Sequence, residues 1–123
     1  MMVLVDTSVW IDHFKNNNER LVALLLNDRV LSHPMVLLEL ACGTPPAPRA
    51  QTLADIELLE FAHQVTLPEV RDFIEREKLY GLGCGLVDMV LLTSTLLNSD
   101  TKLWTLDKHL ADLAERFGIN FIQ

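Results

Sequence analysis

The chain has 123 residues, half of them hydrophobic, with 17 acidic against 10 basic residues and a formal net charge of −7. That length suits one domain burying roughly two-thirds of its unfolded surface, and the apolar content excludes global disorder. Its cysteines, Cys42 and Cys84, form no CxxC pair, its apolar runs are too short to span a bilayer, and its acidity argues against a broad electrostatic grip on nucleic acid.

Taken in chain order, Met2 to Val5 reads as a buried strand, short, continuous and aliphatic. The start, Met1 to Asp6, lacks the basic flank of a secretory signal, so a reducing cytoplasm is the expectation. Asp6-Thr7-Ser8 offers N-cap chemistry for a helix over about Val9 to Lys15, and Asn16-Asn17-Asn18 turns into a second apolar helix over Glu19 to Asn27. Arg29 to His33 suits a second strand. Pro34 opens a helix that holds Glu39 and stops near Gly43. Thr44 to Pro48 is a stiff loop. Arg49 to Ala62 shows helical spacing through Leu53, Ile56, Leu58 and Leu59, followed by a short strand over Gln64 to Leu67 and a helix from Pro68 to about Leu79. After the Gly81-x-Gly83-x-Gly85 interruption come an apolar helix over Leu86 to Leu97, a strand over Lys102 to Thr105, an amphipathic helix over Asp107 to Phe117 stopped by Gly118, and a final edge strand over Asn120 to Ile122.

Alternating strands and helices predict an α/β fold, a mainly parallel central sheet covered on both faces, over a single domain of residues 1–123. In such sheets ligands bind beyond the carboxyl ends of the strands. Asp6 and Asp107 stand there, each ending an apolar run, while Glu39 and Asp88 fall inside apolar helical segments. A carboxylate in apolar surroundings is costly unless something pairs with it. Converging carboxylates repel by roughly several kcal/mol in a partly dry site, and a divalent cation is the simplest remedy, hard oxygen ligands suiting Mg²⁺ or Mn²⁺. Removing these four from −7 leaves −3, so much of the excess charge would sit in the site itself. Thr7, Ser8 and Thr105 carry hydroxyls that would fix carboxylate rotamers. With a bound cation, such a site would activate water against a phosphodiester.

Each acid also has a plainer reading. Asp6 and Asp107 suit N-caps, and Glu39 suits a solvated helix face; Asp88 has the least polar surroundings of the four. Asp12 and Asp100 read as surface and turn residues, the four histidines as polar surface groups, and Cys42 and Cys84 as small core residues. The Gly81–Gly85 segment matches neither a dinucleotide fingerprint nor a P-loop and reads as a flexible approach to the site. Lys15, Arg49 and Lys108 could touch phosphate, but a solvated surface role suits each better.

Val5-Asp6-Thr7-Ser8-Val9-Trp10-Ile11-Asp12, then Glu39-Leu40, then Gly85-Leu86-Val87-Asp88, then Trp104-Thr105-Leu106-Asp107 together resemble a PIN-domain ribonuclease, and the chain's length resembles the VapC-type toxins of toxin–antitoxin pairs. The resemblance implies an α/β/α sandwich and Mg²⁺- or Mn²⁺-dependent endoribonuclease action. It implies Asp6, Glu39, Asp88 and Asp107 as the catalytic, metal-holding quartet, with Thr7 and Thr105 in support. It also implies an RNA substrate, a cognate antitoxin and a homodimer, with Trp10, Phe14 and Leu21 to Leu26 as candidates for the antitoxin groove, though core packing explains them nearly as well. One departure is His109, where many members carry a further acid; it bears on whether a second cation is held. The alternative is a catalytically silent PIN-like module or a receiver-type metal-binding module. A receiver would want a lysine at a late strand end, and here Lys108 directly follows Asp107. A haloacid dehalogenase-type phosphatase would want an aspartate where Ser8 stands.

Overall fold

The computed structural model describes residues 1–122; Gln123, part of the expected domain over 1–123, lies outside them. Met2–Val5 forms strand β1, whose Val3, Leu4 and Val5 are fully buried, as a strand covered on both faces requires. The chain continues through helices α1 (Thr7–Asn16) and α2 (Glu19–Leu26), strand β2 (Val30–Ser32), helices α3 (Pro34–Cys42) and α4 (Arg49–Glu57), and strand β3 (Glu60–Phe61). Helices α5 (Leu67–Glu77) and α6 (Leu86–Leu97), strand β4 (Thr101–Trp104) and helix α7 (Lys108–Arg116) complete the order.

The four strands are parallel and lie in the order β3-β2-β1-β4, with Val5 opposite Trp104. The chain therefore winds outward from β1 to β3, then returns to the other side of β1 for β4. That reversal makes the carboxyl ends of β1 and β4 a topological switch point, where an open α/β sheet leaves a crevice. Helices α1, α3 and α4 pack together, and α5, α6 and α7 form a second group that also meets β4. This is the α/β/α arrangement the resemblance implies. Among the described residues, no helix is long and apolar enough to cross a membrane.

Local chemistry explains the helix starts. Pro34 occupies the first turn of α3, where its missing N–H costs nothing, and the His33 ring caps the same helix by accepting the Met35 N–H at 3.0 Å. Thr66 and Glu69 form a capping box at α5. In α6 the buried Thr93 and Thr95 turn their hydroxyls onto the Met89 and Leu91 carbonyls, each at 2.7 Å, which makes polar residues tolerable in the core.

Several sequence-based expectations change. α4 stops at Glu57 rather than continuing to Ala62, and the third strand is Glu60–Phe61, not Gln64 to Leu67. The helical spacing through Leu58 was fortuitous, since Leu58 is 85% exposed. The strand is specified instead by its pairing with Leu31 and Ser32, which the segment's own composition does not announce. The final strand reduces to a single parallel bridge between Leu103 and Asn120, with Leu103 N–H donating to the Ile119 carbonyl and Phe121 N–H to the Leu103 carbonyl. Cys42 is exposed, so it is not a core residue, whereas Cys84 is half-buried and packs against the core. His33 is buried, not a surface group, because its ring serves as the cap of α3.

Candidate active site

The switch point brings Asp6 and Thr105 together. The Asp6 backbone N–H donates to the Trp104 carbonyl at 2.9 Å, continuing the β1–β4 ladder one residue past the strands. The Thr105 and Ser8 hydroxyls both donate to Asp6 Oδ2, at 2.8 and 2.7 Å, and the Ser8 N–H adds a long bond of 3.4 Å. Ser8 Oγ in turn accepts the Leu106 N–H at 2.9 Å, and Thr105 Oγ1 accepts the Asp107 N–H at 3.0 Å. Two hydroxyls thus tie the start of α1 to the turn after β4. Asp6, 6% exposed, is the most buried of the candidate acids.

Asp107 caps α7, its Oδ1 accepting the Leu110 N–H at 2.9 Å. Glu39 reaches in from α3, and the Thr7 hydroxyl donates to its Oε1 at 2.6 Å. Asp88, in the first turn of α6, accepts the Gly85 N–H on Oδ2 at 3.1 Å, and the positive end of that helix favours its charge. One pattern recurs: in each of the four, one oxygen takes protein donors and the other takes none among the described residues. None of them is ion-paired; the ion pairs among those residues join the Met1 amino group to Asp100, Arg76 to Glu77 and Lys108 to Asp112.

Burial raises the Asp88 carboxyl above its ordinary value, and the negative charges of Asp6, Asp107 and Glu39 raise it further, against the lowering effect of the Gly85 N–H. The charges of all three partners thus act on one half-buried carboxyl. Burial first, then Asp88 and Asp107, push the neighbouring Cys84 thiol up to about 11, so it stays protonated at neutral pH and offers no thiolate nucleophile.

These oxygen donors fit a hard divalent cation rather than zinc, copper or a cluster. Among the described residues, no three histidine, cysteine, aspartate or glutamate side chains stand close enough to enclose a metal on their own. Mg²⁺ accepts that arrangement, because it keeps several of its waters and takes only one or two carboxylates directly.

The family model of the PIN domain matches residues 3–116, which span β1 to the end of α7. The chain belongs to the PIN-domain family. Among its relatives is Ribonuclease VapC32 of Mycobacterium tuberculosis, from strain CDC 1551 / Oshkosh and from strain ATCC 25618 / H37Rv. Each is 40% identical over 121 residues, which cover 96% of this chain and 94% of the relative. A receiver-type module is therefore excluded.

Within this PIN domain, the expected supporting threonines do different things. Thr105 holds Asp6 and the Asp107 backbone, whereas Thr7 holds Glu39. Ser8, one of the three hydroxyl residues named beside the acids, links Asp6 to Leu106 N–H, and nothing in Asp6-Thr7-Ser8 distinguishes that bridge from ordinary N-capping. Asp12 bonds to Asn16 and Asn18 in the turn after α1, and Asp100 pairs with the chain's amino group. Arg49 donates to the Ala41 and Gly43 carbonyls at the end of α3, and Lys108 pairs with Asp112, so both are engaged structurally. Trp10 and Leu21 are buried in the core, whereas Phe14 is half-buried and Leu26 is 80% exposed. His109 packs its ring against Gly83 and takes no hydrogen bond with the quartet among the described residues.

Proposed function

We infer that this chain is an endoribonuclease of the VapC type, the toxin of a toxin–antitoxin pair, hydrolysing RNA phosphodiesters at an acidic site with the help of Mg²⁺ or Mn²⁺. One PIN domain would account for the whole chain, with a cognate antitoxin as its protein partner, a second copy of the chain as its dimer mate, and the cytoplasm as its place of action. The carrying observation is the set of four carboxylates without ion pairs, each keeping one oxygen free of protein donors. The likeness to a named ribonuclease across 96% of the chain supports it.

In this reading Asp6, Glu39, Asp88 and Asp107 hold the cation. When bound, it supplies Lewis acidity toward the phosphodiester and offsets the carboxylates' mutual repulsion. The protein's contribution is positioning. Ser8 and Thr105 lock Asp6 through Oδ2, Thr7 locks Glu39 through Oε1, and the N–H groups of Gly85, which caps α6, and of Leu110, in the first turn of α7, hold Asp88 and Asp107. The −7 net charge disfavours RNA until cations reverse the potential locally, which would make substrate binding metal-dependent as well as the chemistry.

The test is cleavage of total cellular RNA by the purified, antitoxin-free chain in Mg²⁺ or Mn²⁺, beside EDTA and an Asp6→Asn variant. Cleavage should require both the cation and Asp6. A PIN module without turnover is the second reading, favoured by the acids' failure to enclose a metal unaided. Metal binding by calorimetry with no cleavage of any RNA would select it.

A further inference from the structure

Between α1 and the C-terminal part of α3 lies a cavity of about 490 Å³ that shares only Glu39 with the acidic quartet. Ile11, Phe14, Leu40 and Pro45 supply its apolar wall, and Lys15 and Glu39 stand on it with opposite charges. We propose that this cavity seats one nucleotide of the substrate RNA, next to the phosphodiester being cut, with the base on Phe14 and a backbone phosphate at Lys15. The proposal rests on the ribonuclease reading and assigns part of the substrate to a place outside the acidic quartet.

Glu39 makes the cavity continuous with the candidate active site. Its Oε1 takes the Thr7 hydroxyl, and Thr7 directly follows Asp6, so the wall of the cavity and the acidic cluster share one side chain. RNA with a phosphodiester at the carboxylates must lay its neighbouring nucleotides on the surrounding surface, and this is the adjoining cavity. Its volume falls within the roughly 300–1,000 Å³ of small-molecule sites, a class that includes a nucleoside monophosphate.

The wall chemistry matches. An aromatic ring beside aliphatic and proline surfaces is what an unpaired base uses for stacking, and such contacts tolerate any base because each has a π-face. Lys15 supplies the complementary charge. It is exposed and makes no ion pair among the described residues, unlike Lys108, and it lines a cavity in a chain whose overall charge repels RNA. A cation left free beside an acidic cluster is suited to a phosphate that the cluster itself would reject.

The test adds each of the four ribonucleoside 5′-monophosphates, at millimolar concentration and with Mg²⁺, to the full chain. Resonances of Ile11, Phe14 and Lys15 are followed by NMR, and cut sites in total RNA are mapped in parallel with Mg²⁺. At least one nucleotide should shift these resonances. Phe14→Leu keeps an apolar side chain for the fold but removes the ring, and it should weaken that binding by about fivefold or more, the scale of a base–aromatic stack. Lys15→Ala should weaken it by about threefold and make the remainder insensitive to salt, while Lys102→Ala, whose amine bonds to the Gly118 carbonyl, should change neither. Both cavity variants should also alter which base flanks the mapped cuts. RNA cleavage by the wild type with no nucleotide shift at these residues would overturn the seat, leaving the cavity to a protein segment, and would leave the ribonuclease reading standing. Nucleotide shifts with no metal-dependent cleavage would overturn the reading on which the proposal rests.

Discussion

Asp88 is the acid whose ionisation the fold opposes through two causes at once, burial and the three neighbouring carboxylates. Its folded-state pKa is raised, so in the metal-free protein the stabilising contribution is fully present below the ordinary value of 3.8 and is lost as pH rises through the raised value. Asp88→Asn removes an ionisation that the fold disfavours. Its metal-free melting temperature should therefore exceed that of the wild type at neutral pH, with the difference closing as pH falls below 3.8. Cleavage by the same variant should fall about 100-fold or more, because even outer partners of metal ligands cost ~10–100-fold. A lower melting temperature at neutral pH would assign Asp88 a structural role. The hydroxyls separate in a similar way. Ser8→Ala breaks the bonds to Asp6 and to Leu106 N–H, so it should cost about 1–2 kcal/mol in chemical denaturation as well as activity. Thr7→Ala loosens only the exposed Glu39 and should lower activity about tenfold while stability moves by less than ~0.5 kcal/mol.

At the scale of elements, the site depends on how the chain enters α6 and α7. Gly83 has φ +84°, and a Cβ placed there would lie 3.1 Å from Nδ1 of His109 on α7. The glycine segment after Leu79 thus serves to bring the start of α6 against α7, more specifically than the flexible approach its composition suggested. Gly83→Ala should destabilise the fold by about 1–2 kcal/mol, through left-handed strain and the ring contact together. Adding His109→Ala should recover only the contact part, which a double-mutant cycle in urea would measure. Full recovery would show that the backbone conformation carries no cost. Elsewhere, strong local signals and the structure coincide: Pro34 at the start of α3, Pro68 in the first turn of α5, and the apolar Leu86 to Leu97 run all became helix starts or helices close to where their chemistry puts them. Glu60–Phe61 became a strand without such a signal, because two residues hold no periodicity and only the exposed backbone of β2 called for a partner.

At the scale of the whole molecule, a parallel sheet buried on both faces leaves its strand ends as the one place where polar chemistry meets the core. Trp104, buried on β4, directly precedes Thr105, and the buried Val5 directly precedes Asp6, so two buried, paired strands position the most buried acid. A cation that binds the folded chain alone must stabilise it by mass action, about 2.7 kcal/mol at a hundredfold excess over its Kd. Mg²⁺ or Mn²⁺ should therefore raise the wild-type melting temperature in a concentration-dependent way. Asp88→Asn, though more stable without metal, should show a much smaller rise. An equal rise in both would place the cation elsewhere.

The sequence by itself determined the class of fold, the order of nearly all its elements and the acids worth naming, because strand and helix periodicity, caps and breakers are local and because Asp6 and Asp107 stop apolar runs that can only be strand ends. Val5-Asp6-Thr7-Ser8 and Trp104-Thr105-Leu106-Asp107 carried the family resemblance for the same reason. Only the tertiary structure decided that an N-cap residue can also stand in the acidic cluster: Asp6 starts α1 and is locked by Thr105 across the sheet, and Asp107 starts α7 while its backbone holds Thr105. It alone gave Thr7 to Glu39 rather than to Asp6, buried His33 as a cap, and set Lys15 on a cavity beside the acids. Those outcomes depend on which strand ends become neighbours and how far apart helices settle, and such long-range pairings leave no trace in the residues on either side.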